Sequence, residues 1–131
     1  MSDRIFIVDG EGLPQWSNPI SHAVVVNNMC FISGQLSVNV AGEYVAGTVE
    51  DEARRAFDNV FSAARAAGFD KDEIVYVDIA FSDLSEVSVV NDLYMKLFAE
   101  GRRPARTIYQ AAALPFGGKI KIVATAVKDG V

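Results

Sequence analysis

Hydrophobic and polar residues change period several times along the chain, and each change marks an element. Ile5 to Val8 is a short apolar run that predicts an edge strand, and the stretch from Gly10 to Pro19, containing Gly, Pro and Asn, reads as loop. His22 to Val26 and Met29 to Ser33 are rich in β-formers and flank Asn27-Asn28, residues that tolerate the positive φ of a two-residue hairpin. Strand character continues over Leu36 to Val40 and Tyr44 to Val45 around an Ala41-Gly42 turn. At Thr48 the spacing becomes helical: Ala53, Ala56, Phe57, Val60, Phe61, Ala64 and Ala67 share a face, while Glu52, Arg54, Arg55 and Asp58 fall elsewhere. Thr48 with Asp51 resembles a capping pair, and Gly68 supplies the stop.

Ile74 to Phe81 alternates, with Ile74, Tyr76, Asp78 and Ala80 on one side and Val75, Val77, Ile79 and Phe81 on the other. A second helix follows over Leu84 to Ala99, with an Asp83/Glu86 capping box and an apolar stripe of Val87, Val90, Leu93, Tyr94, Leu97 and Phe98 before Gly101 ends it. Thr107 to Ala112 and Lys119 to Val127 read as final strands joined through Leu114-Pro115-Phe116-Gly117-Gly118. Two amphipathic helices and several strands predict one α+β domain over residues 1–131, its sheet covered on one face by both helices. The other face, left with many Val, Ile and Ala, predicts an oligomer that packs those faces together.

Composition narrows what such a domain does. The chain has 131 residues, one Cys, and 17 acidic against 12 basic residues for a formal net charge of -5. A single Cys excludes a disulfide framework or a cysteine cluster, and a single His, His22, excludes a metal site of paired imidazoles. The acidic balance lacks the broad positive field that nucleic acid recognition uses. No apolar run approaches the roughly 18 to 20 residues that cross a bilayer, and Met1-Ser2-Asp3-Arg4 has no leader pattern. The expectation is a cytoplasmic protein, with neither nucleic acid nor membrane as partner.

Against that acidic background, "RRPARTIYQ" at 102–110 gathers three arginines. Arg102 and Arg103 follow a helix end, where the helix dipole favours solvated cations. Arg106 sits where Pro104 feeds a strand, and it either offers its rigid fork to a ligand carboxylate or pairs with Asp78, Asp83 or another acid of the fold. Lys119 and Lys121 share a strand face that reads as solvent side. If Lys121 lies near Arg106, repulsion would favour a neutral amine able to act as base, Schiff-base former or second anion contact. Ser33-Gly34-Gln35 ends a strand with a Gly that lets a ligand approach the backbone. Cys30 reads as core, and His22 as an exposed or satisfied residue and not a catalyst.

Together "NPISHAVVVNNMCFISGQL", "FDNVFSAARAAGF", "VVNDLYMKLF", "RPARTIYQAAALP" and "KIKIVATAV" resemble the reactive-intermediate deaminase family, also called RidA or YjgF and formerly endoribonuclease L-PSP. The most specific pieces are Ser33-Gly34-Gln35, Asn91 with Tyr94, and Pro104-Ala105-Arg106, and the likeness runs from Ile5 to Val127. The resemblance implies a chorismate-mutase-like mixed sheet covered on one face by two helices, a homotrimer with clefts at its subunit interfaces, and no metal or organic cofactor. It also implies hydrolysis of small enamine and imine carboxylates of the 2-aminoacrylate type to keto acid and ammonia; the alternative is a noncatalytic trimer that binds small carboxylates or keto acids. By the same resemblance Arg106 holds the substrate carboxylate, and Ser33, Gly34, Asn91 and Pro115 line the cleft. Two positions depart from the pattern: Ile20 stands where a cleft tyrosine is usual, and Lys121 where an acid handles the water. A cation there points to a second anionic group on the substrate, as in the amino-dicarboxylate 2-aminomuconate, or to Lys121 as the replacement base.

Overall fold

Six strands build one sheet in the computed structural model, which describes residues 3–129 and so leaves Met1 and Ser2 of the N-terminal reading outside it. They are β1 (Ile5–Ile7), β2 (Ala23–Val26), β3 (Met29–Gln35), β4 (Ile74–Phe81), β5 (Ala105–Gln110) and β6 (Ile120–Val127), with helices α1 (Val49–Ala66) and α2 (Val87–Leu97). The spatial order is β1-β2-β3-β6-β4-β5, and every pairing is antiparallel except β4 with β5. A parallel pair needs a crossover, and α2 provides it. The predicted hairpin joins β2 to β3, with Asn27 at φ 55°.

Both helices cover the same side. Along β6, Ile120, Ile122, Ala124 and Ala126 are buried beneath them, together with Cys30 and Ile32 of β3 and Val77, Ile79 and Phe81 of β4. Ala53, Ala56, Ala63 and Ala64 let α1 lie close to the sheet, while Phe57, Val60 and Phe61 fill the space around them. Phe57 meets Tyr94 and Phe98 edge-on, with ring centroids 5.9 and 6.1 Å away, which locks α2 against α1. The α1 cap is as expected: Asp51 N–H donates to Thr48 Oγ1 at 3.1 Å, and Thr48 N–H donates to Asp51 Oδ2 at 3.2 Å. Gly68 follows the helix at φ 86°.

Four local expectations change. Leu36 to Val45 forms only an isolated bridge, Val38 to Tyr44, because Asn59 Nδ2 takes the Leu36 and Val38 carbonyls at 3.0 and 2.9 Å in place of a strand partner. A bulge between Ile74 and Tyr76 turns Ile74 to the helix side and leaves Val75 exposed, so simple alternation starts only after it. The second helix begins as a tight 3-10 turn over Leu84–Glu86, and Asp83 caps Ser85 instead of forming a box with Glu86. It ends at Leu97, since Phe98 is already extended, and Gly101 belongs to the turn beyond.

The face away from the helices carries Phe31, Tyr76, Asp78, Thr107, Tyr109, Lys121 and Val123, with Phe31 46% exposed. No described helix is long and apolar enough to cross a membrane.

Candidate functional site

Strand register divides the expected site residues between two faces. Arg106 pairs with Val77, and Val77 with Ala124, so all three project toward the helices. Lys121 pairs with Ala80 on the opposite, uncovered face. Within one protomer the two cations therefore do not meet, and the repulsion that would have made Lys121 a base is not supplied by its own chain.

On the helix side, Asn91, Tyr94 and Met95 of α2 form one wall of a cavity of about 420 Å³, and Arg103, Pro104 and Arg106 form the other. Arg106 Nη1 donates to Asn91 Oδ1 at 2.8 Å, and its guanidinium lies 4.8 Å from the centre of the Tyr94 ring. The two ion pairs among the described residues are Arg54–Glu50 and Lys119–Glu52, so Arg106 pairs with no acid there. Of the alternatives open for this residue, pairing with Asp78 is prevented by the sheet, since Asp78 faces the other way, and Asp83 hydrogen-bonds Ser85. A neutral amide and an aromatic face aim the fork without neutralising it. Burial pushes the Tyr94 hydroxyl up from its ordinary pKa, and the Arg106 and Arg103 charges partly offset that rise.

Arg103 is a partial surprise. It caps α2, donating from Nε to the Phe98 carbonyl at 3.2 Å, as a cation at a helix end should. It also lines the Arg106 cavity and so adds to its positive field.

The second cavity, about 320 Å³, opens on the other face between Trp16, Asn18, Ile20, Ser33, Gly34, Leu36, Pro115, Phe116 and Lys121. A bulge in β3 between Ile32 and Gln35 turns Ser33 and Gly34 out of the ladder. Ser33 Oγ donates to the Ser21 carbonyl at 2.6 Å. The Lys121 stem crosses Gly34 so closely that a Cβ there would stand 3.0 Å from Lys121 Cδ and would require the lysine stem to shift. Lys119, expected on the same face, lies one residue before β6 and instead reaches Glu52 Oε2 at 3.5 Å.

Aromatic residues complete this cavity, and the sequence had not marked them. Phe116 is 51% exposed and stands between Trp16 and Tyr44, with centroids 6.3 and 5.8 Å away and planes within 13°. Its backbone adopts φ 64°, costly for a bulky residue. Trp16 is held from behind, its Nε1–H donating to His22 Nδ1 at 3.3 Å. Gln35 Nε2 donates to the same nitrogen at 3.2 Å, and His22 Nε2–H donates to the Pro14 carbonyl at 2.8 Å. His22 is thus buried, neutral and structural, its pKa lowered by desolvation and partly restored by Pro14. Cys30 is core as expected, and burial pushes its thiol up to about 11. Among the described residues no three His, Cys, Asp or Glu side chains come together to hold a metal ion.

The endoribonuclease L-PSP family model matches residues 12–128. A 2-iminobutanoate/2-iminopropanoate deaminase of Bos taurus is 39% identical over 93% of this chain and 89% of its own length. The YjgF gene product of E. coli is 35% identical, superposing with a TM-score of 0.85 over 94% of this chain and 98% of its own. TdcF of E. coli, solved with bound serine, is 32% identical with the same score and the same coverage.

Proposed function

We propose that this chain, which belongs to the endoribonuclease L-PSP family, hydrolyses small imine and enamine carboxylates to a keto acid and ammonia. The observation that carries this reading is Arg106: an arginine beside an open cavity, aimed by Asn91 and Tyr94, with no acid of the described residues to neutralise it. The deaminase relative acts on 2-iminobutanoate and 2-iminopropanoate, and TdcF holds serine. All three molecules carry a carboxylate next to the nitrogen-bearing carbon, the group that such an arginine grips.

An enamine first gains a proton on carbon and loses one from nitrogen, becoming an imine. Water then adds to the imine carbon, the carbon–nitrogen bond breaks as the carbonyl forms, and the two protons of the water leave with the nitrogen as ammonia. Imines hydrolyse readily, so the protein's task is to fix the carboxylate and deliver a water, and the reaction as written calls for no metal or organic cofactor. Backbone groups around Ser33, Gly34 and Pro115 are the candidates for holding that water.

The reading includes a homotrimer in which each cleft joins the Arg106 cavity of one subunit to the Ile20, Ser33, Gly34, Pro115 and Lys121 cavity of another. Support comes from the division of these residues between two sheet faces and from the uncovered face itself, where Phe31 and Tyr109 are exposed and Asp78 Oδ1 is buried without a partner. In such a cleft Lys121 lies on the side away from the arginine and meets a second anionic group, favouring amino-dicarboxylates such as 2-aminomuconate.

A second reading has one specific observation in its favour: no Asp or Glu lines the Lys121 cavity. On that reading the protein binds small carboxylates or keto acids without turning them over. One assay separates the two: keto-acid release from imines generated in situ by amino-acid oxidases, for the intact protein and for Arg106→Ala. Acceleration that disappears in the variant supports the deaminase, whereas carboxylate binding without acceleration supports the binding protein.

A further inference from the structure

Glu52 belongs to the polar side of the α1 pattern, yet its side chain is 0% exposed. A buried carboxylate is costly unless its lone pairs are filled, and this one is well supplied. Tyr44 Oη donates to Oε2 at 2.6 Å, Gly47 N–H reaches the same oxygen at 3.4 Å, and Lys119 N–H donates to Oε1 at 3.0 Å. The Lys119 ammonium adds a contact to Oε2 at 3.5 Å. These donors come from two separate segments, one carrying Tyr44 and the other emerging from the Pro115–Gly117 turn. The rings of those segments, Tyr44 and Phe116, stack on each other, and Phe116 stacks in turn on Trp16 at the mouth of the Lys121 cavity. An apolar residue at position 52 would fill the core as well; only an acceptor can tie both segments to α1.

We propose that Glu52 is a positioning residue, whose carboxylate clamps Tyr44 and Lys119 and thereby sets where Pro115 and Phe116 stand as the aromatic wall of the substrate cleft. The cleft assignment rests on the deaminase reading; the clamp does not. Phe116 needs such a hold because its left-handed backbone conformation persists only when its surroundings over-determine it. The Tyr44 hydroxyl, pushed up to about 12 by burial and then by Glu52, stays protonated and keeps donating. A change at Glu52 therefore moves a wall of the cleft without touching substrate.

Trp16 is the only tryptophan of the chain, so its fluorescence reports this wall directly. The test uses the full-length protein with Glu52→Ala, Glu52→Gln and Tyr44→Phe, reading acrylamide quenching of Trp16 alongside imine hydrolysis. For Glu52→Ala and Tyr44→Phe the expected result is quenching raised about twofold and KM raised about tenfold, with kcat within about threefold. Glu52→Gln, which keeps an acceptor for Lys119 N–H, recovers most of both. If Glu52→Ala does not fold, Tyr44→Phe carries the test, since it removes a single oxygen from a half-buried ring. Folded Tyr44→Phe protein, and Glu52→Ala protein where it folds, with lowered urea midpoints but unchanged quenching and unchanged KM would overturn the proposal and leave Glu52 a stabilising group only. An intact protein that hydrolyses no imine would defeat the functional reading alone, because the quenching comparison decides the clamp without turnover.

Discussion

The two cavities handle charge in opposite ways. On the helix side, Arg106 is gripped by Asn91 and laid over Tyr94, so its direction is set by packed secondary structure. On the open side, the long Lys121 stem lies across Gly34 with no hydrogen bond or ion pair to its ammonium among the described residues, and the stacked Trp16 and Phe116 rings that loops present form part of the wall. A planar fork on a strand suits a group that every substrate shares; an ammonium on a long stem among loop aromatics suits a group that differs between substrates. On the proposed function, the contrast teaches that fixed recognition is built where both neighbours are regular elements, and adjustable recognition where they are not.

Removing the fork is the most damaging way to test this difference. Arg106→Ala should lower kcat/KM on the order of 100-fold for every imine tried, from the loss of a charge-assisted pair to the carboxylate; keto-acid release measures it, and a loss restricted to some side chains would refute the shared-group role. Joining the cavities across subunits is tested by Val123→Asp, which puts a charge on the uncovered face. Light scattering should then show monomer, with activity per chain down about tenfold or more as clefts come apart. Asn91→Ala removes only the group that aims the fork, and should raise KM about tenfold while kcat moves little.

Lys121→Glu probes the adjustable side. It should cut the preference for dicarboxylic over monocarboxylic imines about fivefold, a like-charge effect in a half-open cavity, measured as a ratio of kcat/KM values. An unchanged ratio would remove Lys121 from recognition. The smallest effect is expected at His22, behind Trp16. Its folded pKa is lowered below the ordinary 6.5, so as pH falls below about 6.5 the unfolded chain takes a proton that the folded one refuses. Stability should fall in that window by at most about 1.4 kcal/mol per pH unit from this group. Urea midpoints of the intact protein and His22→Gln between pH 7 and 5 measure the difference.

Much of the architecture could be read from the chain because it rests on period. Both helices, the hairpin at Asn27 and the covering of one sheet face follow from which residues recur at helical or strand spacing. The misreadings occur where a single residue breaks the period: the bulge at Val75 reverses Ile74, and Asn59 replaces a strand partner for Leu36 and Val38. Within the candidate site, Arg106, Asn91, Ser33 and Gly34 stood out by residue type and motif. Their division between two faces did not, because it depends on which strand lies between β5 and β6. Glu52, Trp16 and Phe116 stayed hidden because a polar residue on a helix and aromatics in a loop look ordinary until the turn at Pro115 folds back over α1.

The placement of Arg106 and Lys121 on opposite faces of one sheet has a genetic corollary. If each cleft is shared between chains, an allele defective in Arg106 and another defective at Gly34 damage different walls. Co-expressed, they would assemble mixed particles in which some clefts combine the sound wall of each, so two inactive alleles would restore partial activity to one another, whereas neither could be rescued by a copy carrying its own defect.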